Sequence, residues 1–294
     1  MKKITFFIIF CSLNLYGSKF ISDFWQFPIF PKLYSLGMPS TFSESIEAIN
    51  VNPAGILSKK TQIYLSHTEY FVSFRSEVVG VSTFLKNNAT QFAFIFNYIY
   101  ALPFQETMIS DNNYFKIGEF SVYFLLPILG FSLEFDKNIN LGASLKYNYS
   151  KVCSEIIDSL LFDFGFTLKN IFNVFDVGIS LQNIEFIKKY FFEKQFNFGI
   201  KWKVKKIINL YNNFQYMSKS NEYKTSIGVL FFIIKNFNIN LGYKYGIKSA
   251  EPDKFICGTG YNLLVEKFNI NFNWAGSFNN YLGWINILSI ELNF

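Results

Sequence analysis

An all-β fold is what this sequence predicts: a transmembrane antiparallel β-barrel of about fourteen strands, with an N-terminal hatch (plug) containing a short helix. Three observations predict it. First, seven stretches alternate strictly between large apolar and small or polar side chains. In one, Ile139, Leu141, Ala143, Leu145, Tyr147 and Tyr149 share a parity, opposite Asn140, Gly142, Ser144, Lys146 and Asn148. Phe92, Phe94, Phe96, Tyr98 and Tyr100 against Gln91, Ala93 and Asn97 repeat the pattern, as do Phe237, Ile239, Leu241, Tyr243 and Tyr245 against Asn238, Asn240, Gly242 and Lys244. A strand sends successive side chains to opposite faces, so each stretch has one greasy and one wet face. Second, the greasy face is aromatic and has no matching set of amphipathic helices to cover it. Aromatic residues make up 21% of the chain, with 39 Phe against 4 Trp, which suits a lipid-facing surface with interfacial girdles. Third, no apolar run reaches the ~18 residues of a membrane helix. Closed strands are then the only way across lipid, which cannot satisfy open backbone groups. The polar parity of Gly, Asn, Ser and Lys suggests a watery lumen.

The elements follow in chain order. Residues 1–17 read as a signal peptide: Lys2 and Lys3 form a basic start, Ile4 to Leu13 an apolar core too short to span, and Gly17 and Ser18 a cleavage point. Cleavage there removes two lysines and takes the formal charge from +6 to +4. Residues 18–60 read as the hatch. They hold Pro28, Pro31, Pro39 and Pro53 and lack sustained alternation. Ser40, Thr41 and Ser43 can cap a short helix over 44–49, and Asn52-Pro53-Ala54-Gly55 breaks it as a tight turn. Residues 61–294 read as the barrel, with strands at 62–72, 74–86, 89–101, 118–130, 138–152, 160–169, 174–183, 194–204, 206–217, 222–234, 237–248, 254–265, 267–276 and 283–294. Asn87-Asn88, Lys137-Asn138 and Asn236 read as periplasmic turns, and 102–117, 184–193 and 276–282 as extracellular loops. Pro127 inside a strand suggests a bulge or kink. Leu288, Ile290, Leu292 and the terminal Phe294 share one face of the last strand. That ending resembles the signal read by the outer-membrane barrel-insertion machinery.

Several chemistries find no support. The only His is His67, and no Cys/His cluster, triad, phosphate-binding loop or dinucleotide motif is present. No catalytic residue, metal ligand or cofactor is expected, and the chain does not read as an enzyme. Positive charge is spread thinly, which argues against nucleic acid as a partner. Cys153 and Cys257 can pair in an exported protein, but two incidental thiols are the simpler reading. With apolar residues outside, Leu145→Lys or Phe94→Lys is expected to block assembly, and polar exchanges at Lys146 or Asn97 to be tolerated.

Leu36-Gly37-Met38-Pro39-Ser40-Thr41, followed by Ser45-Ile46-Glu47-Ala48-Ile49-Asn50-Val51-Asn52-Pro53-Ala54-Gly55-Ile56-Leu57, resembles the hatch of FadL-type channels. It is closer still to the PorV/PorQ-like proteins and a related spirochaete group. The likeness continues through Leu65-Ser66-His67-Thr68-Glu69-Tyr70, Leu141 to Tyr147, Phe162-Asp163-Phe164-Gly165 and Val177 to Asn183, nearly the whole chain. The resemblance implies a fourteen-stranded barrel in the cell outer membrane with the hatch folded inside. It implies a transport protein for hydrophobic small molecules, such as long-chain fatty acids, in which Asn52, Pro53, Ala54 and Gly55 serve ligand binding and gating. For NPAG, a turn that only seats the plug is the other reading. The chain is shorter than the fatty-acid channels, chiefly in its loops, a size that suits the PorV-like branch. That branch implies the alternative, a non-transporting barrel serving protein secretion or surface assembly. The partners implied are membrane lipid, a hydrophobic ligand and the barrel-assembly machinery.

Overall fold

The computed structural model describes residues 27–70, 73–86, 89–110, 113–153, 155–185, 192–247, 254–266, 268–279 and 283–294. The expected signal peptide, and the hatch up to residue 26, lie outside them. Among the described residues sixteen strands form: β1 (Gln62–Glu69), β2 (Phe74–Leu85), β3 (Thr90–Ala101), β4 (Phe104–Ser110), β5 (Asn113–Phe120), β6 (Val122–Asp136), β7 (Ile139–Val152), β8 (Glu155–Ile171), β9 (Phe175–Glu185), β10 (Gln195–Lys205), β11 (Ile208–Met217), β12 (Glu222–Ile234), β13 (Phe237–Gly246), β14 (Lys254–Val265), β15 (Phe268–Asn279) and β16 (Gly283–Asn293). Fourteen of them close an antiparallel barrel, in which β1 pairs with both β2 and β16 and β3 pairs with β6. Closure removes the edges that lipid would leave unpaired.

The parity assignment holds strand by strand. Leu141, Tyr147, Phe92, Phe94, Phe96, Tyr243 and Tyr245 are exposed on the outer wall. Asn140, Ser144, Lys146, Asn148, Gln91, Asn97 and Asn240 are buried inside. Aromatic residues cluster at both ends of the wall. Tyr98 and Tyr100 stack at 5.0 Å, Tyr123 and Tyr149 at 6.1 Å, and Phe278 meets Trp284 at 5.1 Å towards the long connections. Phe175 and Trp202 at 6.0 Å and Phe268 and Phe294 at 5.2 Å lie towards the short turns. An apolar wall between two aromatic girdles is the surface of a membrane-spanning barrel.

Three details differ from the sequence reading. The region 102–117 is not a loop throughout: β4 and β5 pair only with each other, as a hairpin outside the barrel sheet. β15 likewise continues to Asn279, through the start of the expected loop at 276. Pro127 makes no bulge. Phe96 pairs with it from β3, while on the β7 side the ladder passes from Leu125↔Tyr149 to Ile128↔Lys146 with register unchanged and Leu126 and Pro127 unpaired. A proline lacks the N–H such a ladder needs, so the rung is lost without an inserted residue.

The lumen is not watery throughout. Val78, Ala93, Ile95, Leu126 and Ile128 point inward from β2, β3 and β6 and form one buried cluster with Ile46, Ile49 and Ile56 of the N-terminal segment. In that sector both parities are apolar, because one face meets lipid and the other meets the chain's own interior.

Candidate functional site

The site is the N-terminal segment, residues 27–61, inside the wall. It makes a circuit of the lumen. Ser66 Oγ of β1 donates to Ile29 O at 2.8 Å, and Tyr70 Oη donates to Pro28 O at 2.8 Å. The one-turn helix Pro31–Ser35 then runs beside β13 to β16, with Tyr34 Oη 2.7 Å from Ser277 Oγ. Ser226 Oγ of β12 donates to Gly37 O at 2.8 Å, and Ser40 N donates to Asn213 Oδ1 of β11 at 3.0 Å. On the far side Gln182 Nε2 and Ser180 Oγ of β9 donate to Asn50 O and Val51 O at 2.7 and 2.6 Å. Gln91 of β3 receives the segment's end, accepting from Lys59 N at 3.1 Å and donating to Lys60 O at 2.7 Å.

Two 3-10 turns form its middle, Ile46–Asn50 and Pro53–Ile56. The first stands where the short helix was expected, but its cap is Ser45, whose Oγ accepts from Glu47 N at 3.2 Å. Ser40, Thr41 and Ser43 do not cap it. Ser40 instead donates from Oγ to Gly178 O at 3.0 Å. Asn52 caps the second turn, its Oδ1 accepting from Ala54 N at 3.1 Å. Its Nδ2 donates both to Ser40 O at 2.8 Å and to Phe166 O of β8 at 3.1 Å. One fully buried amide thus closes its own turn, ties two parts of the segment together and fastens both to the wall. Pro53 fixes the first position of the turn, and Ala54 O accepts from Ser132 Oγ of β6 at 2.9 Å.

Gly55 is required for room rather than for dihedral freedom. Its φ is not positive, but a Cβ there would lie 2.2 Å from Phe42 O. The same need explains a belt of glycines on the inner parity of the wall. A Cβ at Gly142 would sit 2.3 Å from Ala54 N, one at Gly165 2.0 Å from Asn52 Oδ1, and one at Gly178 2.2 Å from Ser40 O. Gly228 and Gly242 play this part against Leu36 and Ser35. Gly142 pairs with Gly165, and Gly228 with Gly242, so the seats are continuous across strands. Sequence reading counts these glycines only as small lumen-lining residues. The signal that distinguishes them is glycine in mid-strand, which marks close backbone approach.

Buried charge inside the barrel includes a close ion pair. Lys146 Nζ lies 2.6 Å from Asp163 Oδ2, both almost fully buried. Asp163 also accepts from Ser144 Oγ at 3.0 Å and Asn183 N at 2.8 Å. Lys146 is therefore no freely exchangeable lumen residue. Glu47 is fully buried in the segment. It accepts from Leu33 N at 2.9 Å and Tyr64 Oη at 3.2 Å. Burial, with repulsion from Glu291, pushes its carboxyl up to about 7, against the opposing pull of the Leu33 bond and Lys32. On the long-connection side of the segment a polar cavity of about 30 Å³ is lined by Lys146, Gln182, Asn197, Asn213 and Lys224, with Gly37 and Val51 as its floor. That holds one or two waters.

Of the expected site residues, the structure brings Asn52, Pro53, Ala54 and Gly55 together as one wedge between the segment and β6 to β8. Ile290 and Leu292 lie on the outer parity of β16, and Phe294 follows it, its N donating to Thr61 O at 2.9 Å. Cys153 and Cys257 are not joined by a disulfide. His67 is outside the barrel, bonded to Glu77 across the β1–β2 ladder.

No protein-family model matches the sequence, and no curated protein does. Solved structures do resemble it. A Pseudomonas aeruginosa FadL homologue is similar at 10% identity with a TM-score of 0.60, over 91% of this chain and 98% of that one. The Ralstonia pickettii toluene transporter TbuX is similar at 10% identity and a TM-score of 0.63, over 90% and 96%. The Pseudomonas putida toluene transporter TodX is similar at 10% identity and a TM-score of 0.60, over 84% and 91%. At such identities the likeness is one of architecture, so what this chain shares with these FadL-type transporters is the fold.

Proposed function

We propose that this protein is an outer-membrane channel for hydrophobic small molecules, of which long-chain fatty acids are the first choice, and that residues 27–61 are its hatch. The observation that carries this reading is the fit between segment and wall. A belt of glycines in the barrel and the fully buried Asn52 of the segment hold the segment across the lumen. A polar cavity beside it, between Lys146, Gln182 and Lys224, has room for about one or two waters. A segment fastened to the wall on several sides obstructs free diffusion of hydrophilic solutes, so in this reading passage requires that the hatch move. Asn52, Pro53, Ala54 and Gly55 are the natural place for that movement to be controlled, because they tie the segment to itself and to β6 and β8. The fold shared with a FadL homologue and two toluene transporters supports the same substrate class. Cell export through an N-terminal signal peptide and assembly by the barrel-insertion machinery belong to this reading.

The same tight fit favours one other reading, a PorV-like barrel that does not transport and serves secretion or surface assembly. The two separate in one experiment. Asn52→Ala with Pro53→Ala is compared with the unaltered protein in proteoliposomes, at matched amounts of folded barrel, for binding and uptake of a labelled long-chain fatty acid. A channel gives uptake that the double variant changes without loss of the barrel. If the unaltered protein binds no fatty acid, and the variant loses only yield or thermal stability, the non-transporting reading stands in its place.

A further inference from the structure

The rim of the barrel at its short-turn end repeats one device. Leu85 stands beside Lys86 where β2 turns to β3, Phe135 near Lys137 where β6 turns to β7, Ile207 beside Lys206 between β10 and β11, and Ile234 beside Lys235 between β12 and β13. In each case both side chains are exposed. Phe172, in the turn from β8 to β9, is 87% exposed. The apolar outer wall therefore runs down to the turns themselves, and a lysine follows it there. At the headgroup level of a bilayer a lysine lays its stem along apolar surface and carries its ammonium to the polar layer.

The charge at this rim is one-sided. Lys59 is tied to Glu134 at 2.7 Å and Lys169 to Glu44 at 3.3 Å, while Lys203 and Lys201 share Asp176 at 2.7 and 3.5 Å. Lys60, Lys86, Lys137, Lys205, Lys206 and Lys235 are exposed and, among the described residues, form no ion pair. The exposed carboxylates at this rim without a lysine partner are Asp136 and Glu266. Six against two leaves an excess of four positive charges, out of a formal +6 for the whole chain. On the outer wall towards the opposite rim the signs are mixed, His67 lying against Glu77 and Arg75 near Glu69. The six lysines also stand apart, at the start of β1 and at four separate turns around the closed barrel. A folded partner would meet one side of such a ring, whereas a leaflet meets all of it.

We infer that the short-turn rim is a binding collar for anionic phospholipid, its unpaired lysines taking the phosphate groups of the leaflet at that end in preference to zwitterionic lipid. Bulk lipid of either kind can cover the apolar wall. The uncompensated lysines are what select for negative charge, since each one near an anionic surface adds attraction that a zwitterionic surface does not return. The collar lies outside the lumen, so it does not depend on transport or on the hatch.

Trp202, 45% exposed on the outer wall three residues before Lys205, reports on the collar. The chain has four Trp, at positions 25, 202, 274 and 284. One protein keeps only Trp202 and a companion keeps only Trp284, at the opposite end of the wall, the others being replaced with Phe. Each is reconstituted in vesicles of phosphatidylglycerol and phosphatidylcholine in equal parts, with one or the other brominated on its acyl chains so that it quenches Trp on contact. At Trp202 phosphatidylglycerol should be preferred about fivefold, corresponding to about 1 kcal/mol, and at Trp284 the preference should be close to one. Lys205→Gln with Lys206→Gln should bring the value at Trp202 down towards that at Trp284, while Lys151→Gln, at the other end, should leave it unchanged. The heat-dependent gel shift checks that each variant is folded. If the double variant does not fold, Lys235→Gln on the adjoining turn takes its place. Salt at about 1 M, where screening shortens to about 3 Å, should abolish the preference in the unsubstituted single-Trp protein. No preference at Trp202, the same preference at Trp202 and Trp284, or a preference that survives both salt and the lysine substitutions overturns the inference.

Discussion

At the scale of single residues, the wall and the segment inside it are fitted atom to atom, and glycine shows this most directly. Gly165→Ala puts a methyl where Asn52 Oδ1 and Ala54 N already are, 2.0 and 2.8 Å from the new carbon. Overpacking of that kind costs about 1–3 kcal/mol, and should appear as a lower temperature for the gel shift between folded and unfolded barrel. Gly276→Ala is the control. It lies in mid-strand too, but its close neighbours are the tip of the Trp274 ring on the outer wall, which can swing aside, so its effect should be smaller. Lys146 tests a different force. Lys146→Met removes the cation from a buried pair and leaves Asp163 with only Ser144 and Asn183 for company. An uncompensated buried charge costs about 3–5 kcal/mol, and Lys146→Met with Asp163→Asn should recover part of it. Equal stability of the single and double variants would show that the pair carries no such weight. In the sequence, Lys146 looks like any polar residue on a wet parity, because the alternation tells which face it is on and not what it meets there.

At the scale of elements, what could be read in advance depended on whether a segment answers to lipid. The fourteen barrel strands do, and lipid on one face enforces an alternation that marks β7 or β13 plainly. The hairpin Phe104–Ser110 with Asn113–Phe120 satisfies its backbone in a local pair outside the wall, so 102–117 reads as a loop. The helix Pro31–Ser35 is too short for a helical period to show. The motif Asn52 to Gly55 could be found as a turn, but the glycines that receive it, Gly142 and Gly165, lie about 90 to 110 residues away in the chain, and only the fold brings them together. Glu47 is a case that neither motif nor parity reveals. It holds the turn Ile46–Asn50 to the helix through Leu33 N and to β1 through Tyr64. Its carboxyl is raised to about 7 from an ordinary 4.5 by burial first and by Glu291 second. The folded protein therefore holds this proton more tightly than the unfolded chain does. The stabilisation is full below the ordinary carboxylate value and is lost as pH rises through about 7, by up to about 3 kcal/mol. The urea midpoint of the barrel in detergent should fall between about pH 5 and pH 8, and Glu47→Gln should flatten that fall. A slope that survives in Glu47→Gln would assign the effect to another group.

At the scale of the whole molecule, the barrel is a closed ladder with grease outside and a packed segment inside, and the two faces should respond differently to charge. Phe94 is 44% exposed on the outer wall, between Val81 and Leu129. Phe94→Lys should cost about 2–4 kcal/mol near the bilayer midplane and reduce folding into liposomes. Asn97→Gln on the inner parity, where it accepts from Ser76 Oγ at 2.6 Å, should cost less. The far end of the chain separates folding from delivery. Phe294 contributes one backbone bond to Thr61 and an edge contact with Phe268, while β16 is already joined to β1 over eight pairs. Phe294→Ser therefore removes little that holds the seam shut, and the purified variant should refold in detergent with a nearly unchanged melting temperature. If Phe294, with Leu292 and Ile290, is what the insertion machinery reads, the same variant should reach the outer membrane in much smaller amounts in cells. Normal amounts in the membrane would leave Phe294 as an ordinary girdle aromatic, and a lowered melting temperature in detergent would place its role in the seam itself.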